Sequence, residues 1–265
     1  MPEEKEDFMT TEDWIKKLKH QAEDSREYRH KLYEKVDLKS RKNILDVGCG
    51  TGAVTLDIAQ LSGGEVIGID IDPEKLEEAR RALADIPNVK LMEGDVVDLP
   101  FEDEIFDLVV FNIVLMHVKE QQRAVDEMAR VTQKGGYVLG SLEPDYASKI
   151  DYPEDPATPL ILNSIEDRGS DIYAGRKLKT LFNRAGLETQ IGMDTESDFL
   201  LVRDNKKYLD MYLKDFWMFE KLFKKDGWTD EEIESYKSEE IERINKGLSF
   251  HFIPSFYAIG RKLSD

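Results

Sequence analysis

Ile44-Leu45-Asp46-Val47-Gly48-Cys49-Gly50-Thr51-Gly52 joins an apolar run to a glycine turn and places a carboxylate just ahead of that turn. Glycines at alternating positions let the backbone turn tightly and approach a ligand closely. The apolar and small residues that follow (Ala53, Val54, Leu56, Ile58, Ala59) predict a helix opening over that ligand, so the unit reads as a nucleotide-type cofactor site. Gly48, Gly50 and Ala53 also satisfy the dinucleotide fingerprint, so glycine spacing alone does not exclude NAD. Asp46 separates the two readings. Beside the loop, at the strand's carboxyl end, it would repel a pyrophosphate and attract a cationic amino group, which favours a positively charged adenosine cofactor.

Outward from this stretch, strands and helices alternate. Strands are predicted near 43–47, 65–69, 89–92, 106–111 and 136–143, with helices near 52–61, 73–84 and 120–132. Such alternation predicts a parallel sheet covered by helices, with its ligand at the strands' carboxyl ends. Asp72-Pro73-Glu74 is a helix start, since Asp caps and Pro suits the first turn. Residues 10–36 predict an amphipathic helix pair (Trp14, Ile15, Leu18, Tyr28, Leu32, Tyr33) capped by Thr10 and Thr11. Glu143-Pro144-Asp145 opens a segment rich in proline and acid, up to Pro159, that predicts an irregular loop. A helix at 175–185, a strand at 187–193 and a closing strand over 248–261 follow. Residues 194–247 intervene, with helical patterns at 205–225 and 229–246, and an insertion of that length suits a lid or a contact between subunits of a homodimer. The expected organisation is a helical cap at 1–42, a cofactor-binding core at 43–193, the insertion at 194–247 and a closing strand at 248–265.

The 265 residues, 40% hydrophobic, suffice for one α/β core with additions. A formal net charge of -18 disfavours nucleic acid as a substrate, because phosphate binding relies on Lys and Arg clusters. Lys16, Lys17, Lys19 and His20 form a short basic patch, read as a solvated helix face. No membrane span is predicted: the longest apolar run, Leu108 to Val118, is interrupted by Asn112 and His117. The acidic start lacks the features of a signal peptide, and a soluble cytoplasmic protein is expected. A single cysteine, Cys49, excludes a disulfide framework or a cysteine-rich metal site, and it reads as a small filler of the glycine turn.

The chain resembles class I S-adenosylmethionine-dependent methyltransferases, in the broad group that includes small-molecule and quinone methyltransferases. The likeness spans roughly Ile44 to Gly186. Leu45 to Gly52 resembles the family's first motif, Val66-Ile67-Gly68-Ile69-Asp70 its second strand with a terminal acid, and Glu93-Gly94-Asp95 its third. Phe106 to Val110 looks like the fourth strand, and Gly135-Gly136-Tyr137-Val138-Leu139 like the start of the fifth. The resemblance implies a Rossmann-like doubly wound α/β sheet of seven strands, mostly parallel with an antiparallel closing strand, and S-adenosyl-L-methionine as cofactor. It gives Asp70 the ribose hydroxyls, with Ile71 beside it, and Asp95 the adenine amino group, with Val96 against the ring. Gly48, Gly50 and Gly52 would lie close to the methionine part, whose amino group Asp46 and Asn112 would meet.

Methyl transfer from a sulfonium is an in-line displacement, so the protein chiefly aligns the reactants and excludes water. A base is needed only where the acceptor must lose a proton. Candidates at the ligand end are His117 and Tyr173 for proton transfer, and Arg176, Glu143 and Tyr146 for the acceptor, with Asp145 nearby. Each has a plainer alternative: packing or capping for His117, a structural salt bridge for Arg176. Tyr28 and Tyr33 would either close over the cofactor or join the core, and His251 and Phe256 would border the pocket. No metal site is predicted. The sequence after the fourth strand, Phe111-Asn112-Ile113-Val114, lacks the Asn-Pro-Pro-Tyr pattern of amino methylation at adenine, and one cysteine is too few for an arsenite acceptor. Two rivals stand beside methyl transfer to a small molecule: an NAD-dependent oxidoreductase, and a non-catalytic cofactor-binding interaction protein.

Overall fold

The computed structural model describes residues 8–193 and 204–264. The elements run α1 (Thr11–Asp24), α2 (Arg26–Lys35), β1 (Asn43–Val47), α3 (Ala53–Leu61), β2 (Glu65–Asp70), α4 (Pro73–Ala82), β3 (Val89–Glu93), β4 (Phe106–Asn112), α5 (Gln121–Val131) and β5 (Thr132–Pro144). Then come β6 (Ile150–Tyr152), α6 (Ala157–Asp167), α7 (Ala174–Arg184), β7 (Glu188–Gly192), α8 (Asn205–Lys225), α9 (Asp230–Asn245), β8 (Phe250–Phe252) and β9 (Ser255–Arg261).

Seven strands form one sheet in the order β3-β2-β1-β4-β5-β9-β7. The first five pair in parallel, and β9 runs antiparallel between β5 and β7. Central strands of such a sheet are covered on both faces and therefore read as unbroken apolar runs. Strand β4 shows this over Leu108 to Phe111, all buried. Alternate residues feed two cores: Leu45, Val47, Val109 and Phe111 enter one with Met128 and Phe182, while Ile44, Leu108 and Val110 enter the other with Tyr28, Leu32 and Ile58. The strand order reverses between β1 and β4, which opens a crevice at their carboxyl ends.

Two expectations need correction. The segment rich in proline and acid is not simply a loop: it holds the short strand β6, and α6 begins within it. Nor is 248–261 one strand. Pro254 breaks it, since proline has no N–H to give the ladder. Phe250–Phe252 pairs with β6 in a separate two-stranded sheet, and only Ser255–Arg261 closes the main one. The helices expected at 205–225 and 229–246 are α8 and α9; residues 194–203 of the insertion and 1–7 of the cap lie outside the described residues. Together with α6, helices α8 and α9 build a third core of Ala157, Phe216, Phe223, Tyr236 and Ile244, in which Trp228 stacks on Phe223 at 4.4 Å. Among the described residues no helix is long and apolar enough to cross a membrane.

The cap is anchored by charge. Arg29 of α2 is fully buried and places Nη2 2.5 Å from Asp57 Oδ2 on α3, while Nη1 donates to Ala22 O at 2.8 Å and Ser25 Oγ at 2.6 Å. Removing one partner of a buried pair strands the other charge, which costs about 3–5 kcal/mol. Asp57→Ala is therefore expected to lose about that much in urea unfolding, and a loss under about 1 kcal/mol would contradict this anchoring role.

Candidate active site

A cavity of about 630 Å³ occupies the crevice at the carboxyl ends of β1, β2, β3 and β4. The turn after β1 forms one wall. Gly48 and Gly50 adopt φ of +66° and +52°, a region that favours glycine. Ile69 O accepts from Gly48 N at 2.8 Å and Cys49 N at 3.0 Å, drawing the turn against the end of β2. A Cβ on Gly48 would fall 2.5 Å from Val114 Cγ2, so only glycine fits between turn and cavity.

Asp70, at the end of β2, accepts from Gly50 N at 2.7 Å and from Asp72 N at 2.9 Å. Each of its oxygens retains a further acceptor site on the cavity wall. Asp72 caps α4 and pairs with Lys75 at 3.0 Å. Ile71, 65% exposed, and Val96 line the same side, as does Asp95, which accepts from Val97 N at 3.1 Å. Asn112 also lines the cavity and accepts from Ser141 Oγ at 2.9 Å.

The segment after β4 supplies the facing wall. Ile113 holds a φ of +55°, a strained setting for a β-branched residue, and its N–H donates to Leu142 O at 2.8 Å. The strain is held by Glu143, fully buried, which accepts from Val114 N, Leu115 N and Met116 N at 3.2, 3.1 and 2.8 Å. Burial nevertheless pushes the Glu143 carboxyl up to about 7. His117 follows. Its side chain opens onto the cavity, and Nδ1 lies 2.9 Å from Ser170 Oγ. Desolvation, with Lys75, Lys17 and Arg168 nearby, pushes its pKa down to about 4.

The last wall is α1, through Thr11, Trp14 and Leu18. This helix is fastened to α4 by Thr11 Oγ1 to Glu74 at 2.8 Å and by Lys19 to Glu78 at 2.7 Å. On its other side it meets α8, through His20–Asp215 at 2.6 Å, Lys214–Asp24 at 3.2 Å, Lys221–Asp13, and Lys16 over the Trp217 ring at 4.5 Å. The expected basic patch is thus engaged with acids and rings rather than simply solvated.

Several residues lie elsewhere than the sequence suggested. Asp46 is buried behind the glycine turn and accepts from Thr55 Oγ1 at 2.6 Å, and burial pushes its carboxyl up to about 7. Strand alternation is the reason: Val47 lines the cavity, and its neighbour faces away. Gly52 starts α3 at φ +79° and packs against Leu83 and Ala79, away from the cavity. Arg176 grips Asp145, with Nε–Oδ2 and Nη2–Oδ1 both at 2.5 Å, and sits over the exposed Tyr173 ring at 4.9 Å. Tyr146 packs beside Met116, Ile165 and Ile172. Asp46, Gly52, Asp145, Tyr146, Tyr173, Arg176 and Glu143 do not line the cavity. Tyr28 and Tyr33 belong to the core, His251 pairs with Asp151 at 2.7 Å, and Phe256 packs on the main core. Cys49 is buried as expected of a filler, and burial pushes its thiol up. Lining residues not anticipated include Thr11, Trp14 and Leu18, with Lys119, Arg168 and Ser170; Trp14 and Leu18 share the predicted apolar stripe, which carried no sign of facing a ligand.

A glycine turn, an acid closing β2 and a second acid after β3, around one cavity, define an α/β protein built for an adenosine-type cofactor. The methyltransferase domain model matches residues 45–140. A demethylmenaquinone methyltransferase of Staphylococcus saprophyticus is 34% identical over 191 residues, covering 62% of this chain and 78% of that protein. An uncharacterized methyltransferase of Schizosaccharomyces pombe is 36% identical over 154 residues, covering 54% and 55%. The YcgJ protein of Bacillus subtilis shares the fold, with a TM-score of 0.57 at 19% identity over 91% of this chain and 100% of that one. The chain belongs to the class I S-adenosylmethionine-dependent methyltransferases, whose methyl donor is S-adenosyl-L-methionine. It spans only about half the length of several other relatives, between 47% and 55%.

The buried acids make a pH prediction. Asp46, held near 7 when folded, titrates near 3.8 when unfolded, so between these values the folded chain binds more protons and the ionised carboxylate weakens it as pH rises. His117, depressed to about 4, acts in the opposite sense, so the variant difference is the clean readout. The stability of Asp46→Asn relative to the parent is expected to improve from about pH 5 to about pH 8 in urea unfolding, and a constant difference would contradict the raised carboxyl.

Proposed function

We propose that this protein is a cytoplasmic enzyme that moves a methyl group from S-adenosyl-L-methionine to a small-molecule acceptor with an apolar body. The observation that carries the reading is Asp70: a carboxylate at the end of β2, oriented by Gly50 N and Asp72 N, on the rim of a cavity walled by a glycine turn. Such a carboxylate suits paired ribose hydroxyls, which favours a nucleoside cofactor. Ile71 and Val96 would flank the adenine, Asp95 would accept from its amino group, and Gly48, Gly50 and Asn112 would receive the methionine part. A cavity of about 630 Å³ falls within the range of small-molecule sites.

Bound, the donor supplies an electrophilic methyl carbon on a cationic sulfur. The chain's own residues have to hold the acceptor in line and keep water out. Trp14, Leu18, Ile113, Val114 and Val118 offer an apolar wall for that purpose, one that suits the quinone-type acceptor named for the Staphylococcus relative. Ser170 orients His117, which stays neutral and so accepts a hydrogen bond from the acceptor instead of carrying charge. Helices α1 and α2 act as a cap on the core that β9 closes. The 194–247 insertion braces that cap: no residue of α8 or α9 lines the cavity, and their contact with α1 is the route by which they influence it.

Calorimetric titration with S-adenosylmethionine, S-adenosylhomocysteine and NADH tests the reading. The two adenosyl ligands are expected to bind and NADH not, and the reverse would replace methyl transfer with hydride chemistry. Asp70→Ala should weaken S-adenosylhomocysteine by about 30-fold or more, whereas the exposed Glu77→Ala leaves it unchanged. Exposed ion pairs are individually worth about 0.2–1 kcal/mol, so removing both Lys214 and Lys221 should speed S-adenosylhomocysteine release by roughly a few-fold in stopped flow. Release at the parent rate would leave the insertion without influence on the cap.

A further inference from the structure

We infer, resting on the methyltransferase reading, that the acceptor is an organic anion: an apolar or aromatic body bearing a carboxylate or a comparably acidic oxygen, received between Trp14 and the Arg168–Lys119 side of the cavity. The charged groups lining this cavity are sorted by strand. Asp70, Asp72 and Asp95 follow β2 and β3, and the one lysine there, Lys75, is paired with Asp72 at 3.0 Å. The β4 side carries Lys119 directly and receives Arg168 from the end of α6. Its one lining acid, Glu120, lies 3.8 Å from Arg123. Strand order β3-β2-β1-β4 therefore sets an acidic half against a cationic half. In a chain of net charge -18 the cationic half is a local exception.

The acidic half matches a donor that brings hydroxyls, an amino group and a sulfonium. The cationic half has no counterpart in that donor's chemistry beyond one carboxylate, and it adjoins the apolar wall. Arg168 lies over the Trp14 ring at 5.2 Å and the Phe8 ring at 5.7 Å, a setting that holds the planar guanidinium beside the cavity. A guanidinium held in this way recognises a planar carboxylate by paired hydrogen bonds. His117, its pKa lowered first by desolvation and then by Lys75, Lys17 and Arg168, adds no positive charge of its own, so recognition falls to Arg168 and Lys119.

The test uses the full chain saturated with S-adenosylhomocysteine and titrated with 2-naphthoate and, separately, its uncharged isostere 2-naphthamide. Naphthoate is expected to bind at least about tenfold more tightly than the amide. Arg168→Gln should bring the two within about twofold while leaving S-adenosylhomocysteine affinity intact, and Arg168→Lys should restore part of the preference. Lys119→Gln, on an exposed position, should lower the preference by a smaller factor and serves if Arg168→Gln does not fold. Equal binding of acid and amide, tighter binding of the amide, or no binding of naphthoate at millimolar concentration to the S-adenosylhomocysteine complex would overturn the inference and spare the methyltransferase reading. Failure of S-adenosylhomocysteine itself to bind would sink both.

Discussion

The ligand end of this molecule depends on a hydrogen-bonded junction between two neighbouring strands. Ile69 O takes the N–H groups of Gly48 and Cys49, and Asp70 takes that of Gly50, so the turn after β1 is shaped by the end of β2. Backbone amides that would otherwise face an apolar interior are satisfied, and the positive φ angles that this path demands are tolerated because the residues are glycines. The same junction brings Asp70 to the cavity. Fold and site are therefore one constraint: a turn that could not pass between Val114 and β2 would close the crevice and displace the carboxylate together.

Across the cavity a second device holds a shape that the backbone would not choose. Ile113 is strained, and the three amides after it converge on one buried carboxylate. Glu143 thus acts on the site from behind, by fixing the wall that carries Val114 and His117. Further out, Gln121 Nε2 donates to Leu115 O and to Asp171 Oδ2, both at 2.9 Å, and Asp171 N donates to Met116 O at 2.7 Å. The cap completes the enclosure. Arg29 and Asp57 bind α2 to α3, and α1 reaches from there over the cavity with α8 behind it.

Much of this was legible in the sequence, for physical reasons. Parallel strands buried on both faces leave apolar runs, and capped helices leave Asp72-Pro73 and Thr10 at their starts, so strands β1 to β4, β7 and most helices fell within a residue or two of prediction. Asp70, Asp95, Gly48 and Gly50 could be placed because each lies at the junction of a strand and its loop. The short strands β6 and β8 could not, because three residues carry no period. Glu143 and Arg176 were candidates for the acceptor because both fall at the ligand end of the chain's order, with a structural salt bridge as the alternative for Arg176; their partners are main-chain amides in one case and Asp145 in the other, and neither partner is visible as a pattern. Trp14 and Arg168 were missed for the opposite reason. A tryptophan in an amphipathic stripe looks like core, and whether it also borders a cavity depends on a crossing angle that only packing sets.

The most direct test of the account is a crystal structure of the protein with S-adenosylhomocysteine. The ribose hydroxyls are predicted on the Asp70 carboxylate, the adenine beside Val96 with its amino group at Asp95, and the ligand's sulfur toward Trp14 and His117. Density for the ligand outside this cavity, or a ribose turned away from Asp70, would contradict it.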